Sequence, residues 1–147
     1  MGKPLTQMVP DFREALEEGL QDAAEQVVFD LKRAGPYWTG FFESLWEVNP
    51  GRKAVKANVK NPLEVPKQPL TPQYTEAFVP ESPNLGGYTI GNRAQYRLYA
   101  MDIVNAGPRA AAGARLTADK FWYDTYVNSR MPRVINTQIA NVFRRYK

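Results

Sequence analysis

At 147 residues, with 44% hydrophobic residues and 12% aromatics, the chain has the size and composition of one globular domain. It contains neither cysteine nor histidine, which excludes Ser-His-Asp and Cys-His nucleophile activation, histidine general bases and nearly all catalytic zinc sites. The net charge of +4 is unevenly spread: residues 1–50 carry four basic residues against nine acids, and residues 51–147 carry fifteen against six.

In chain order, the start Met1-Gly2-Lys3-Pro4-Leu5-Thr6-Gln7-Met8 lacks the apolar core of a signal peptide. No apolar run approaches the ~18 residues of a membrane-spanning helix, so a soluble, intracellular chain without a membrane role is the expectation. Asp11, with Glu14 three residues on, reads as the N-cap of the first helix. Phe12, Leu16, Leu20, Ala23, Ala24, Val27, Val28 and Leu31 then recur at helical spacing, with Arg13, Glu14, Glu17, Glu18, Asp22, Glu25 and Lys32 on the opposite, polar face. Lys32-Arg33 in the last turn suit the helix dipole, and Gly35-Pro36 stop the helix.

Thr39-Gly40 marks a turn, and Leu45-Trp46-Glu47-Val48 reads as the start of a strand. Asn49-Pro50-Gly51 is a second turn, and Val55 and Val59 share parity in 54–59, which predicts a second strand paired with the first as a hairpin. Between residues 62 and 83 stand six of the twelve prolines, so a long proline-rich arm over 62–87 is expected. Its aromatics Tyr74 and Phe78 either fold back on the chain's own core or dock on a neighbouring subunit, a role that a proline-stiffened segment fills at low entropy cost.

Tyr88-Thr89-Ile90-Gly91-Asn92 reads as a strand, whereas Ala94 to Val104 mixes strand and helix signals. Gly107 to Arg115 is a small-residue loop, and Thr117 is a candidate N-cap ahead of Phe121, Trp122, Tyr123 and Tyr126. Proline belongs in a first helical turn, so the last helix is predicted to start near Pro132, with Val134, Ile135, Gln138, Ile139, Val142 and Phe143 on one face. The predicted fold class is α+β: a small antiparallel sheet packed against a long N-terminal helix and C-terminal helices, in one domain over 1–147.

The glycine cluster Leu85 to Gly91 lacks the spacing of a phosphate-binding loop and reads as a chain turn. Acid-base chemistry needs two carboxylates in different environments facing one cleft; Glu17, Glu18, Asp22 and Glu25 share a polar helix face, and Asp119 and Asp124 diverge on a helix. No catalytic set, metal site or cofactor site is expected. Arg52, Lys53, Lys56 and Lys60 form the densest basic stretch, either a solvated face or a non-specific contact with duplex phosphate. The acid-rich first third and basic remainder are also compatible with complementary surfaces that pair between copies.

The order of elements, with Pro36-x-x-Thr39-Gly40-x-x-x-Ser44-x-Trp46-x-Val48 and Ile90-x-Asn92-x-x-x-Tyr96-x-x-Tyr99, resembles the neck and tail-completion family of tailed bacteriophages, including head-tail joining and minor tail protein Z-like members. In that family Glu and Gly usually follow the Tyr-x-x-Tyr segment; here Met101 and Asp102 stand there, and the glycine is displaced to Gly107. The resemblance implies a non-enzymatic virion part that forms a ring, of six or twelve copies by the closure of cyclic symmetry, between the capsid portal or adaptor and the tail, with DNA passing through. On that reading Tyr74, Phe78, Glu17, Glu18 and Asp22 face partner subunits, and Arg52, Lys53, Lys56 and Lys60 face DNA. The alternative is a small basic DNA-binding, assembly or regulatory protein.

Overall fold

A computed structural model describes residues 5–60, 70–101, 118 and 121–145, with the side chains of all of these except 5–10, 83, 98 and 99. The elements are α1 (Leu5–Ala34), α2 (Phe41–Ser44), β1 (Trp46–Pro50), a 3-10 turn (Pro83–Leu85), β2 (Tyr88–Asn92), α3 (Arg97–Met101), α4 (Trp122–Thr125), a π-helical turn (Tyr126–Arg130) and α5 (Met131–Arg145). The fold is α+β, with a long N-terminal helix, a two-stranded antiparallel sheet and a C-terminal helix. Pro62, Pro66 and Pro69 of the arm, the 107–115 loop, Thr117, Asp119 and the Tyr99 side chain lie outside the described residues.

α1 begins at Leu5, so Asp11 is inside the helix and is not its cap. Pro10 falls in the second turn, where its missing N–H removes one rung from a ladder of 30 residues, and the surrounding sequence sustains the helix across it. Of the expected apolar stripe, Ala23, Ala24, Val27, Val28 and Leu31 are buried and Leu16 and Leu20 are half-buried, and Ala15, outside that stripe, is buried as well. Phe12 is 59% exposed, its ring tilted against that of Phe143 at a centroid distance of 5.2 Å. Lys32, expected on the polar face, is buried.

β1 pairs with β2 and not with residues 54–59, in the register Trp46↔Asn92, Val48↔Ile90 and Pro50↔Tyr88. The predicted hairpin is therefore replaced by a long-range pair. Residues 54–59 make one isolated parallel bridge, Val59↔Ala94, and otherwise lie across a face of the sheet. Val55 packs there against Gly91, where an added Cβ would meet the Val55 Cβ at 2.7 Å. The Arg97 guanidinium holds the segment by donating to the Val55 carbonyl at 2.9 Å, and the Asn49 amide donates to the carbonyls of Lys53 and Ala54, each at 3.3 Å. The loose alternation of 54–59 lacks the apolar period that would fix a strand register.

β2 has two distinct faces. Tyr88 and Ile90 point toward α1 and the C-terminal helices, whereas Thr89 donates to the Gly51 carbonyl at 2.7 Å and Gly91 meets Val55. The strand expected over 88–92 is found there, entered through Asn84, Leu85 and Gly87, all with positive φ. The glycine cluster thus turns the chain.

α5 starts at Met131, with Pro132 in its first turn as expected, but no break separates it from the helical turns ahead. Helical backbone runs from Trp122 to Arg145, and the turn directly ahead of Pro132 widens to π geometry. A proline ring clashes with the carbonyl four residues back and donates no hydrogen bond; widening that turn relieves both constraints without ending the helix. α5 runs antiparallel to α1, with Tyr126 bonded to Asp30, Gly19 facing Ile139 and Phe143 on Phe12.

Val27, Val28, Leu31, Phe42, Trp46, Val48, Val79, Trp122 and Tyr126 form the core. At its centre Phe42, Trp46 and Trp122 meet edge-to-face at centroid distances of 5.7, 6.5 and 6.5 Å, the arrangement that ring quadrupoles favour.

Candidate interaction surfaces

The motif residues Thr39, Gly40, Ser44, Trp46, Asn92 and Tyr96 gather at one junction. Thr39 Oγ1 accepts from the Phe41 amide at 3.2 Å, and Ser44 Oγ donates to the Phe41 carbonyl at 2.8 Å, clipping α2 at both ends. Gly40, between Pro36 and α2, has φ +87°, and a Cβ there would lie 2.8 Å from the Tyr37 hydroxyl, so the turn requires glycine. Asn92, fully buried opposite Trp46, donates its amide to the Phe42 carbonyl at 2.8 Å and accepts from the Ala94 amide at 2.9 Å. Tyr96 lies 6.2 and 6.1 Å from Phe41 and Phe42, and burial pushes its hydroxyl pKa up to about 12. These positions join the end of α1, α2 and the sheet, and their chemistry is structural.

Beside this junction is a buried ion pair that the sequence reading missed. Lys32 Nζ donates to Glu43 Oε1 at 2.9 Å, to the Glu43 carbonyl at 3.0 Å and to Thr75 Oγ1 at 2.9 Å. Glu43 Oε1 also accepts from the Thr75 amide at 2.7 Å and its hydroxyl at 3.0 Å, while Glu43 Oε2 and Trp46 Nε1 are buried without a hydrogen-bond partner among the described residues. Helical periodicity assigned Lys32 to solvent. The available signal was Glu43 itself, a lone acid between Phe41-Phe42 and Leu45-Trp46.

The described part of the arm is tied to its own chain. The Leu70 amide donates to the Trp38 carbonyl at 2.7 Å, the Gln73 amide to the Tyr37 hydroxyl at 3.0 Å, and the Gln21 side chain to the Val79 carbonyl at 3.2 Å. Val79 is buried. Tyr74 packs edge-on against Tyr37 at 5.6 Å, and Arg33 lies over the Phe29 ring at 3.3 Å and over Tyr74 at 4.7 Å. This patch borders a cavity of about 450 Å³ that also includes Lys32, Thr75 and Glu76. Phe78 points away from the chain and is 83% exposed.

Of the acids expected at partner contacts, Glu18 and Asp22 are engaged by Arg145 at 3.4 and 3.2 Å within the chain. Glu17 instead belongs with Glu25 and Glu81. Burial raises the Tyr88 pKa, a backbone hydrogen bond at Ser82 opposes it, and the charges of Glu25, Glu81 and Glu17 raise it further. Tyr88 lines an open apolar groove of about 350 Å³ with Leu20, Val27, Ile90, Val127 and Met131. Arg52, Lys53, Lys56 and Lys60 are all exposed on the segment that covers the other face of β2, and none has an ion-pair partner among the described residues.

Among the described residues no group of three or more Asp or Glu is arranged to hold a metal ion, and no helix is long and apolar enough to cross a membrane. Compared with protein-family models, curated proteins and solved structures, the chain matches none at a significant level.

Proposed function

We propose that the chain is a non-enzymatic structural protein of a tailed-bacteriophage virion, forming a ring in the neck that joins the capsid portal or adaptor to the tail and lets DNA pass. The observation that carries this reading is the meeting of its two motif segments: Trp46 stands opposite Asn92, and the Asn92 amide clamps the Phe42 carbonyl at 2.8 Å. Two segments far apart in sequence, each resembling a stretch of the same family pattern, form one junction. The exposed groups around it suit assembly: Phe78 and the Phe29–Arg33–Tyr74 patch offer the aromatic and arginine side chains that dominate protein interfaces.

A second reading, a small basic DNA-binding, assembly or regulatory protein, draws on the exposed strip Arg52, Lys53, Lys56 and Lys60. Quantitative peptide mass spectrometry of purified particles of the source virus separates the two. About six or twelve copies per portal, the numbers of a ring closed on a symmetric axis, support the neck reading. Absence from particles rejects it and favours the second.

A further inference from the structure

The two charged surfaces lie on opposite faces of the β-ribbon. On the inner face, Tyr88 and Ile90 line the apolar groove with α1, the π-helical turn and α5. Its rim is acidic by geometry. Glu17, Gln21 and Glu25 recur every four residues and so share one stripe of α1, which passes the groove residue Leu20 three positions after Glu17 and reaches the second cavity, beside Tyr74, at Glu25. The Gln21–Val79 hydrogen bond brings the arm alongside α1, and Glu81 follows two residues later. None of Glu17, Glu25 and Glu81 is in an ion pair among the described residues. The outer face is covered by residues 51–59, anchored by Val55 on Gly91 and by the Thr89 and Arg97 hydrogen bonds. That segment presents Arg52, Lys53 and Lys56 to solvent, with Lys60 next to it.

We propose that the acid-rimmed groove of one copy receives the basic strip, residues 52–60, of a second copy. The sheet separates the two surfaces within one molecule, so a chain cannot satisfy its own groove, and joining unlike surfaces is a heterologous contact that closes into a ring when the rotation permits. The side chains match in kind as well as charge. Lysine stems lie along apolar surface while their ammonium groups reach a polar rim, so Lys53 and Lys56 cover Leu20, Val27 and Ile90 and direct their charges to Glu17, Glu25 and Glu81. Duplex DNA cannot take this place, because its phosphates would meet the same three carboxylates. The contact deepens the ring reading and rests on it for its setting in the neck.

Charge reversal on each surface provides the test. A strip variant, Lys53→Glu with Lys56→Glu, and a groove variant, Glu17→Lys with Glu25→Lys, change only outward-facing side chains, and circular dichroism melts establish that each is folded. In sedimentation at low salt, the wild type is expected to form oligomers that dissociate as salt screens the charges. Each variant alone is expected to associate at least about tenfold more weakly, since like charges then meet. An equimolar mixture of the two is expected to regain oligomers, because every contact in it pairs opposite charges. The proposal is overturned by a wild type that stays monomeric at low salt, by a single variant that assembles like wild type, or by a mixture that remains monomeric. It is also overturned if the strip variant loses duplex binding while its self-association is intact. The copy number in particles is a separate readout, so failure of this contact and failure of the neck reading are distinguishable.

Discussion

From Ala23 to Leu31, α1 lies against Phe42, Trp46, Trp122 and Tyr126, and its next residue, Lys32, is buried on Glu43. From Asp11 to Asp22 the same helix meets α5 through Phe12 on Phe143, Gly19 on Ile139, and Arg145 across Glu18 and Asp22. The first region is fixed by polar groups that have lost their water and by interlocked rings. The second is fixed by helix packing and ion pairs that solvent still reaches. Charge therefore has opposite consequences in the two regions, because desolvation makes an unpaired ion costly only where water is excluded. Of the described motif positions, Trp46 and Asn92 are buried in the first kind of region, whereas Ser44 is exposed at its edge.

The contrast is broken most severely at the buried pair. Lys32→Met or Glu43→Ala alone is expected to destabilise by about 3–5 kcal/mol, because each leaves the other charge buried and uncompensated. The double variant Lys32→Met with Glu43→Leu is expected to lose less than either single change, as urea unfolding of all three would show. A double variant that loses the sum of both singles would mean that the pair is not coupled. Trp46→Ala is expected to cost a similar 3–5 kcal/mol, approximately, in the same assay, by opening a cavity between Phe42 and Trp122; a loss below ~0.5 kcal/mol would mean that the ring is not part of the core.

A smaller effect is expected at alkaline pH. Tyr96 ionises near 10 in the unfolded chain and at about 12 in the folded one, so between these values the folded state holds the extra proton. Stability conferred by neutral Tyr96 is complete below pH 10 and is lost as pH rises through 12. Tyr96→Phe is expected to flatten the fall of the melting temperature over that interval, and an unchanged slope would contradict the assignment. The smallest effect is expected in the exposed region: Arg145→Ala is expected to cost less than about 1 kcal/mol, and less still at high salt, despite breaking two ion pairs.

Elements whose signals are local were legible in the sequence: the apolar stripe of α1, the strand at 88–92 and the basic character of 52–60. The pairing of β1 was not, because a turn at Asn49-Pro50-Gly51 followed by weakly alternating residues imitates a hairpin, whereas the true partner is chosen by the fit of Asn92 opposite Trp46. Pro132 marked the start of α5, but not the unbroken helical backbone ahead of it, since a proline that opens a helix and one that follows a π-helical turn have the same sequence. Lys32 was misplaced because helical periodicity reports which side a residue is on, not whether another segment covers that side. Of the candidate sites, the exposed strip and Phe78 were readable from composition. The groove was not, because its walls come from α1, β2, the π-helical turn and α5, which only the tertiary fold brings together.

Native-state hydrogen exchange followed by mass spectrometry tests the central division most directly. The amides of Ala23–Leu31, Trp46–Val48 and Ile90–Asn92 are expected to exchange slowest and together, at the rate of global unfolding, with Asp11–Asp22 and the C-terminal turns of α5 exchanging earlier through local opening. Equal protection along the whole of α1, or faster exchange at Trp46–Val48 than at Asp11–Asp22, would contradict the account that one end of this helix is locked into the motif junction and the other is held by a two-helix contact and solvent-reached ion pairs.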